Sequence, residues 1–118
     1  MAARIDRETE AILQGTLDML VLRALQLEPM HGWGITERIE QWSEEVLSVG
    51  QGTLYPALYR LEANGWIAAE WKTSDKGKRA RYYRLTARGR KHLAGEQSRW
   101  DAFARAMRLL LAPAENPR

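Results

Sequence analysis

The 118-residue sequence predicts a single α+β domain that is mostly helical, and three observations lead to this class. Four segments repeat apolar residues every three or four positions, which is the spacing of a buried helix face. Two short segments alternate apolar and polar residues instead, as strands do, and a polar loop separates them. The chain is also long enough to bury one hydrophobic core of its own.

The first helix is predicted over residues 9–27, where Pro29 and Gly32 then interrupt the pattern. Its apolar face consists of Leu13, Leu17, Leu20, Val21, Ala24 and Leu25. A second helix is predicted over residues 34–42. It is expected to bury Ile35, Ile39 and Trp42. The β-branched character of residues 47–49 predicts a short strand.

The third helix is predicted over residues 51–64, and it ends at Asn64 and Gly65 because both residues tolerate the left-handed conformation. Leu54, Leu58 and Leu61 form its core stripe. The other faces carry Thr53, Tyr55, Pro56, Tyr59 and Arg60. A proline this far inside a helix predicts a bend and an apolar surface that could meet a thymine methyl group.

The chain then changes to strand periodicity. Ile67, Ala69 and Trp71 alternate with polar or small residues, and Tyr83 and Leu85 alternate with their neighbours later on. The loop over residues 73–80 between them is rich in Lys and Arg. Two strands around such a loop predict a β-hairpin with a cationic tip.

The net charge of +3 is unevenly distributed. Residues 72–92 contain nine Lys and Arg against one Asp, a net charge of +8, whereas the rest of the chain carries −5. A concentrated basic segment on an acidic body favours nucleic acid as a partner. A solvated basic surface is the alternative explanation of the charge alone.

A last helix is predicted from the N-cap Thr86 to a point before Pro113. Its apolar stripe consists of Leu93, Trp100, Phe103, Met107, Leu110 and Leu111. This stripe is longer than one small core can cover, which predicts that two such helices pair with each other and with the partner's first helix. A gap between the paired Trp100 side chains would suit a flat aromatic molecule, with Phe103 and Met107 beside it.

Other classes of protein are disfavoured. The chain has no cysteine, and His31 and His92 are too few for a histidine metal cluster. No nucleophile–base pair or carboxylate dyad stands out, so we expect neither an enzyme nor a cofactor or metal site. The apolar run over residues 19–25 is interrupted by Arg23, and the N-terminus lacks a signal-peptide pattern, so we expect a cytoplasmic protein without membrane contact.

The order helix, helix, strand, helix, strand, basic loop, strand, helix is that of a winged helix-turn-helix. In this fold the third helix can enter a major groove, and the hairpin, or wing, can lie along the flanking phosphates. Winged helices also serve as protein-interaction modules that do not bind DNA, and this is the alternative function for the chain.

Three motifs resemble those of the PadR family of bacterial transcriptional regulators. Residues 52–62 read GTLYPALYRLE, residues 31–35 read HGWGI, and residues 77–86 read GKRARYYRLT. The resemblance spans roughly residues 17–107. The chain departs from the family pattern at Gly50, where relatives usually have Ser or Thr, and at Ala87, where they usually have an acidic residue.

The single helix after the wing resembles the short-C-terminal branch of this family, which implies a homodimeric repressor, and some members of this branch are relieved by small molecules. Domain bounds follow at residues 1–85 for DNA binding, 86–112 for the dimerisation helix and 113–118 for a disordered tail. A dimer implies an inverted-repeat operator in double-stranded DNA. The predicted DNA contacts are Gln51, Thr53, Tyr55, Pro56, Tyr59, Arg60, Lys72, Lys76, Lys78, Arg79 and Arg81. The predicted dimer contacts are Leu13, Leu17, Leu93, Trp100, Phe103, Met107, Leu110 and Leu111.

Overall fold

The computed structural model describes residues 7–113, with side chains from residue 16 onward. Within that range the predicted α+β, mostly α class is confirmed by four helices and one small sheet. In chain order the elements are α1 (Arg7–Ala24), β1 (Met30–His31), α2 (Gly32–Trp42), α3 (Gln51–Ala63), β2 (Ile67–Thr73), β3 (Arg79–Leu85) and α4 (Ala87–Leu110).

One hydrophobic core joins the first three helices, the base of the sheet and the start of α4. The predicted stripe of α3 is buried in it, together with Ile35 and Ile39 of α2. The sheet contributes Ile67, Tyr83 and Leu85. The remaining members include Leu17, Val21, Leu22, Leu25, Ala57 and Leu93. Burial of these apolar side chains fixes the orientation of α3 against α1 and α2.

The sheet is antiparallel, with the strand order β1-β3-β2. The strand predicted over residues 47–49 is wrong, because that segment has no ladder partner and the Leu47 amide instead donates to the Ser43 hydroxyl at 3.0 Å. The sheet instead gains its third member from β1, in which Met30 and His31 pair with Tyr83 and Tyr82 on the open edge of β3.

Local chemistry sets the helix ends. His31 caps α2, since its Nδ1 accepts from the Gly34 amide at 3.0 Å. Asn64 ends α3, and Gly65 follows with φ of +78°, as predicted. Thr86 caps α4, because its hydroxyl accepts from the Gly89 amide at 3.0 Å and donates to the Gly65 carbonyl at 2.7 Å. The helix α1 ends at Ala24, three residues before the predicted end.

Trp42 is exposed, and its predicted burial is wrong. It is the last residue of α2, where the helix leaves the core. The guanidinium carbons of Arg23 and Arg38 lie 4.4 Å and 5.0 Å from the centroid of the Trp42 ring. Cation–π contacts therefore replace the expected core contacts.

The helix α4 starts against the core and then leaves it. Among its residues only Gly89 and Leu93 are buried. The rest of the helix continues for more than four turns with exposed or half-buried side chains, which accounts for an elongated molecule of 60 × 32 × 22 Å. In the described range, no helix combines the length and the hydropathy that crossing a bilayer requires.

Candidate nucleic-acid interface

The helix α3 presents one side to solvent because Leu54, Ala57, Leu58 and Leu61 anchor the other side in the core. Tyr59 is the most exposed aromatic side chain on this surface, at 78%. Pro56 and Gly52 are exposed on the same side. Since Pro56 has no N–H, the Gly52 carbonyl lacks its usual donor four residues on. Gly50 is the N-cap and supplies no side-chain hydrogen bond, as its residue type predicts.

Tyr55 both packs and faces solvent. It is half exposed, yet a Cβ atom at position 32 would lie 2.6 Å from its hydroxyl oxygen. Gly32 therefore leaves the space that the Tyr55 ring occupies at the start of α2. The Gln51 side chain is half-buried nearby, and its amide nitrogen donates to the Thr36 hydroxyl at 3.3 Å.

The wing is an ordered hairpin with a short tip. The Ser74 amide donates to the Lys78 carbonyl at 2.7 Å, and the Lys78 amide donates to the Ser74 hydroxyl at 3.2 Å. Gly77 turns the chain with φ of +77°, a conformation that glycine adopts without strain. The tip exposes Lys76 and Lys78 to solvent. This geometry places two ammonium groups at the far end of the hairpin.

The core-facing side of the sheet continues past the edge of the core and becomes the wall of a groove. Directly paired residues share a sheet face, and Trp71 pairs with Arg81 while Thr73 pairs with Arg79. Two residues further inward along β3 the same face carries the buried Tyr83. Trp71 therefore lies on the core-facing side of the sheet, as the alternation in β2 indicates. Its ring is nevertheless exposed, because the core does not extend as far along β2 as Trp71.

This groove runs between the wing and the N-terminal half of α3 and has a volume of about 710 Å³. Its lining combines aromatic rings with cations. The lining residues include His31, Trp33, Gln51, Tyr55, Trp71, Lys78, Arg79, Arg81, Tyr82 and Tyr83. Rings also hold the wing cations. The Arg79 guanidinium carbon lies 5.2 Å from the Trp71 ring centroid, and the Lys72 nitrogen lies 5.6 Å from that of Tyr82.

Two predicted DNA-contacting arginines form ion pairs with carboxylates of the same chain. Arg60 Nη2 lies 2.7 Å from Asp18 Oδ1, and Arg81 Nη2 lies 2.8 Å from Glu62 Oε2. The Arg81 guanidinium carbon also lies 5.9 Å from the Tyr83 ring centroid. Burial raises the pKa of Tyr83, and the nearby Arg81 charge opposes that rise only in part.

The structure brings five of the eleven predicted DNA contacts together in one groove. The groove is lined by Gln51, Tyr55, Lys78, Arg79 and Arg81. Pro56, Tyr59, Arg60, Lys72 and Lys76 are exposed outside that lining, and Thr53 is half-buried in the first turn of α3. Among residues 16–113, no three His, Cys, Asp or Glu side chains converge as metal ligands would.

Sequence reasoning missed Trp33, Trp71 and Tyr82 as parts of this surface. The signal for Trp33 in the sequence was its position between two glycines at the start of α2. In the structure its ring is exposed rather than packed in the core. The signal for Trp71 and Tyr82 was their proximity to the cationic tip along both strands.

The predicted dimer contacts divide into three sets. Leu17 and Leu93 are only 4% and 1% exposed because they belong to the monomer's own core, so they offer no surface to a partner. Leu13 lies outside the residues whose side chains the structure describes. The other five form an exposed stripe along α4 and its C-cap: Trp100, Phe103, Met107, Leu110 and Leu111. The Trp100 and Phe103 ring centroids are 5.7 Å apart.

A helix-turn-helix with an exposed third helix beside a basic hairpin defines a winged helix-turn-helix protein, an architecture typical of nucleic-acid binding. The model of the transcriptional regulator PadR-like family matches residues 21–95. The chain belongs to this family. It is a DNA-binding transcriptional regulator and not an enzyme.

Similar proteins agree with this assignment. A transcriptional regulator of Mycobacterium tuberculosis is 37% identical over 76 residues, which cover 64% of this chain and 67% of that protein. The structure of a transcriptional regulator from Clostridium thermocellum has a TM-score of 0.77 at 27% identity and covers 86% of this chain and 98% of its own. A PadR family regulator from Eggerthella lenta has a TM-score of 0.72 at 30% identity, with coverage of 90% and 91%.

Proposed function

We propose that this protein is a homodimeric repressor that binds an inverted-repeat operator, with α3 in a major groove and the wing on the adjacent phosphates. The observation that carries the proposal is the groove in which the N-terminal half of α3 and the basic side of the wing face one another. A major groove is wide enough for one helix, and cations beside it reach the phosphate backbone. Family membership favours this function over a protein-interaction module.

The two parts of the surface have different tasks. Lys76 and Lys78 occupy an exposed hairpin tip, where flexible cations reach phosphates but hold no fixed geometry toward base edges. Tyr55 and Tyr59 are fixed by the helix, and their hydroxyl groups can donate and accept hydrogen bonds. The wing therefore supplies affinity for any duplex, and α3 supplies the choice of sequence.

The dimer forms through α4 in this proposal, with residues 1–85 as the DNA-binding part and residues 86–112 as the dimerisation helix. The support is the exposed apolar stripe, in which Trp100 is 41% and Phe103 is 54% exposed. Pairing two such stripes about a two-fold axis would remove these rings from water. Two-fold symmetry then sets the half-site centres about one helical turn, or a multiple of it, apart.

We propose in addition that a small planar aromatic molecule is the effector and that it binds between the paired Trp100 side chains. Phe103 lies beside Trp100, with their ring planes tilted by 44°, and Met107 follows on the same stripe. Aromatic rings and a thioether provide the polarizable surface that a flat aromatic ligand prefers.

A salt titration tests the division of tasks. The variants are Lys78→Ala with Arg79→Ala on the wing, and Thr53→Ala or Tyr55→Ala on α3. Affinity is measured on a selected operator and on a scrambled duplex. Each phosphate contact contributes about 0.9 to the slope of log affinity against log salt, so losing two contacts per subunit flattens the slope by up to ~4.

The wing variant is expected to bind both duplexes more weakly, by similar factors. The α3 variants are expected to show a smaller preference for the operator over the scrambled duplex. A wing variant that keeps the wild-type slope but loses sequence preference would reverse the assigned roles. Failure of the wild-type protein to bind any duplex at low salt would support the protein-interaction module instead.

A further inference from the structure

We propose that Glu62 and Asp18 are positioning residues for DNA recognition. In this inference, which rests on the proposed function, the two carboxylates hold Arg81 and Arg60 in fixed geometry at the edges of α3. They also cancel the charge of these arginines toward DNA of arbitrary sequence. The effect is selectivity for the operator at the expense of affinity for other duplexes.

The first support is the placement of the two pairs. Residues 60 and 62 are separated by about 200° around a helix, so the pairs lie on opposite flanks of α3. Arg60 reaches Asp18 on α1, across 42 positions of sequence, and Glu62 reaches Arg81 on the wing strand β3. Each flank of α3 therefore carries one arginine that is paired with a carboxylate.

The second support is that each arginine keeps donors available. A guanidinium group has five N–H donors, and the ion pair engages Nη2 in each case. Both arginine side chains are 43% exposed, so their remaining donors are open to a ligand. Arg81 is restrained further by the Tyr83 ring, over which it lies. An arginine fixed in this way has already lost the rotamer freedom that binding would otherwise remove.

The third support is the contrast with the wing tip. Lys76 and Lys78 are exposed, and neither forms an ion pair with a carboxylate in the described part of the chain. These two cations attract any phosphate. Arg60 and Arg81 present a neutral pair instead, and the carboxylate beside each repels phosphates that approach in the wrong geometry.

The consequence is a difference between two kinds of complex. On random DNA the paired arginines add little to the release of counterions. On the operator their free donors meet an acceptor at a fixed position, such as a guanine edge or one particular phosphate. Replacing a carboxylate by an amide of the same shape should therefore free the paired arginine to bind phosphates of any duplex. It should also loosen the arginine geometry that operator recognition needs.

The experiment compares Glu62→Gln, Asp18→Asn and the control Glu37→Gln. The control removes the same charge from an exposed α2 position that forms no ion pair with any described residue. Thermal unfolding establishes that each variant is folded. Affinities for an operator, selected beforehand with the wild-type protein, and for a random duplex are then measured across a range of salt concentrations.

For Glu62→Gln we expect tighter binding to random duplex, on the order of tenfold at low salt, because one cation per subunit is freed. The log–log salt slope on random duplex should steepen by up to ~1.8 per dimer, at about 0.9 per contact. The ratio of operator to random affinity should fall. Asp18→Asn should act in the same direction, and Glu37→Gln should change neither the slope nor the ratio.

Arg81→Lys provides a second, independent variant. It keeps the positive charge but lacks the planar fork, so we expect a nearly unchanged salt slope with a reduced preference for the operator. The inference is overturned if Glu62→Gln keeps or raises the operator preference, or if its slope equals that of the control. A wild-type protein that prefers no sequence would contradict the proposed function itself, which separates the two failures.

Discussion

Two glycines on the same helix are predicted to respond to alanine with opposite signs. Gly89 lies in the first turn of α4, against the end of α3 and the start of β2. A Cβ atom there would clash with the Trp66 carbonyl oxygen and lie 2.8 Å from Leu85 Cδ1. Gly95 lies about 1.7 turns later. There the nearest neighbouring atom to a Cβ would be a nitrogen of Arg99 at 3.7 Å.

The magnitudes follow from these distances. Backbone cannot rotate out of the way as a side chain can, so Gly89→Ala must move α4 or the Trp66 carbonyl, which also accepts the Thr86 amide at 3.1 Å. Overpacking of this kind costs about 1–3 kcal/mol, and the contact is close enough for the upper part of that range. Alanine has a higher helix propensity than glycine, which offsets only about 0.5–1 kcal/mol of this cost.

We therefore expect Gly89→Ala to lower the free energy of unfolding by about 2 kcal/mol, and Gly95→Ala to raise it by about 0.5–1 kcal/mol. Urea unfolding at a fixed protomer concentration measures both, since oligomerisation would otherwise shift the apparent stability. Two alanine variants of equal stability would refute the close approach of α4 to the Trp66 carbonyl. Loss of stability in Gly95→Ala would show that the middle of α4 is covered.

Three other outcomes are expected. Trp100→Ala combined with Met107→Asp should lower the mass measured by sedimentation toward the 13.6 kDa monomer, and a variant that stays fully dimeric would contradict pairing through α4. A planar aromatic ligand should quench tryptophan fluorescence, and quenching that survives Trp100→Phe unchanged would place the ligand elsewhere. Because burial raises the pKa of Tyr83, the unfolded chain loses the phenolic proton first, so stability should fall as pH rises above about 10. Tyr83→Phe should reduce that fall, and an equal fall in both proteins would place its cause in other groups.

Periodicity predicted the elements that have a face to bury. The α3 stripe, the Thr86 cap and the alternation of β2 and β3 were all visible in the sequence, because each follows from local spacing or a single side chain. The strand Met30–His31 was not visible, since two residues form a strand only when an open edge of β3 is available to pair with them.

The sequence also could not show what covers an apolar face. Leu93 and Trp100 occupy one continuous stripe, yet Leu93 is buried in the monomer and Trp100 is exposed. Trp71 continues the pattern of Ile67 past the point where the core ends. The pair of Arg60 and Asp18 joins positions far apart along the chain, and no local pattern predicts it.

Selection of bound sites from a pool of random duplexes tests the central claim most directly, because it requires recognition by α3, support by the wing and two-fold symmetry at once. We expect enrichment of an inverted repeat whose half-site centres are separated by about one helical turn. The same selection with Tyr55→Ala should enrich the repeat less strongly. A pool that stays random, or one enriched in direct repeats without two-fold symmetry, would contradict a symmetric dimer that binds operator DNA through α3.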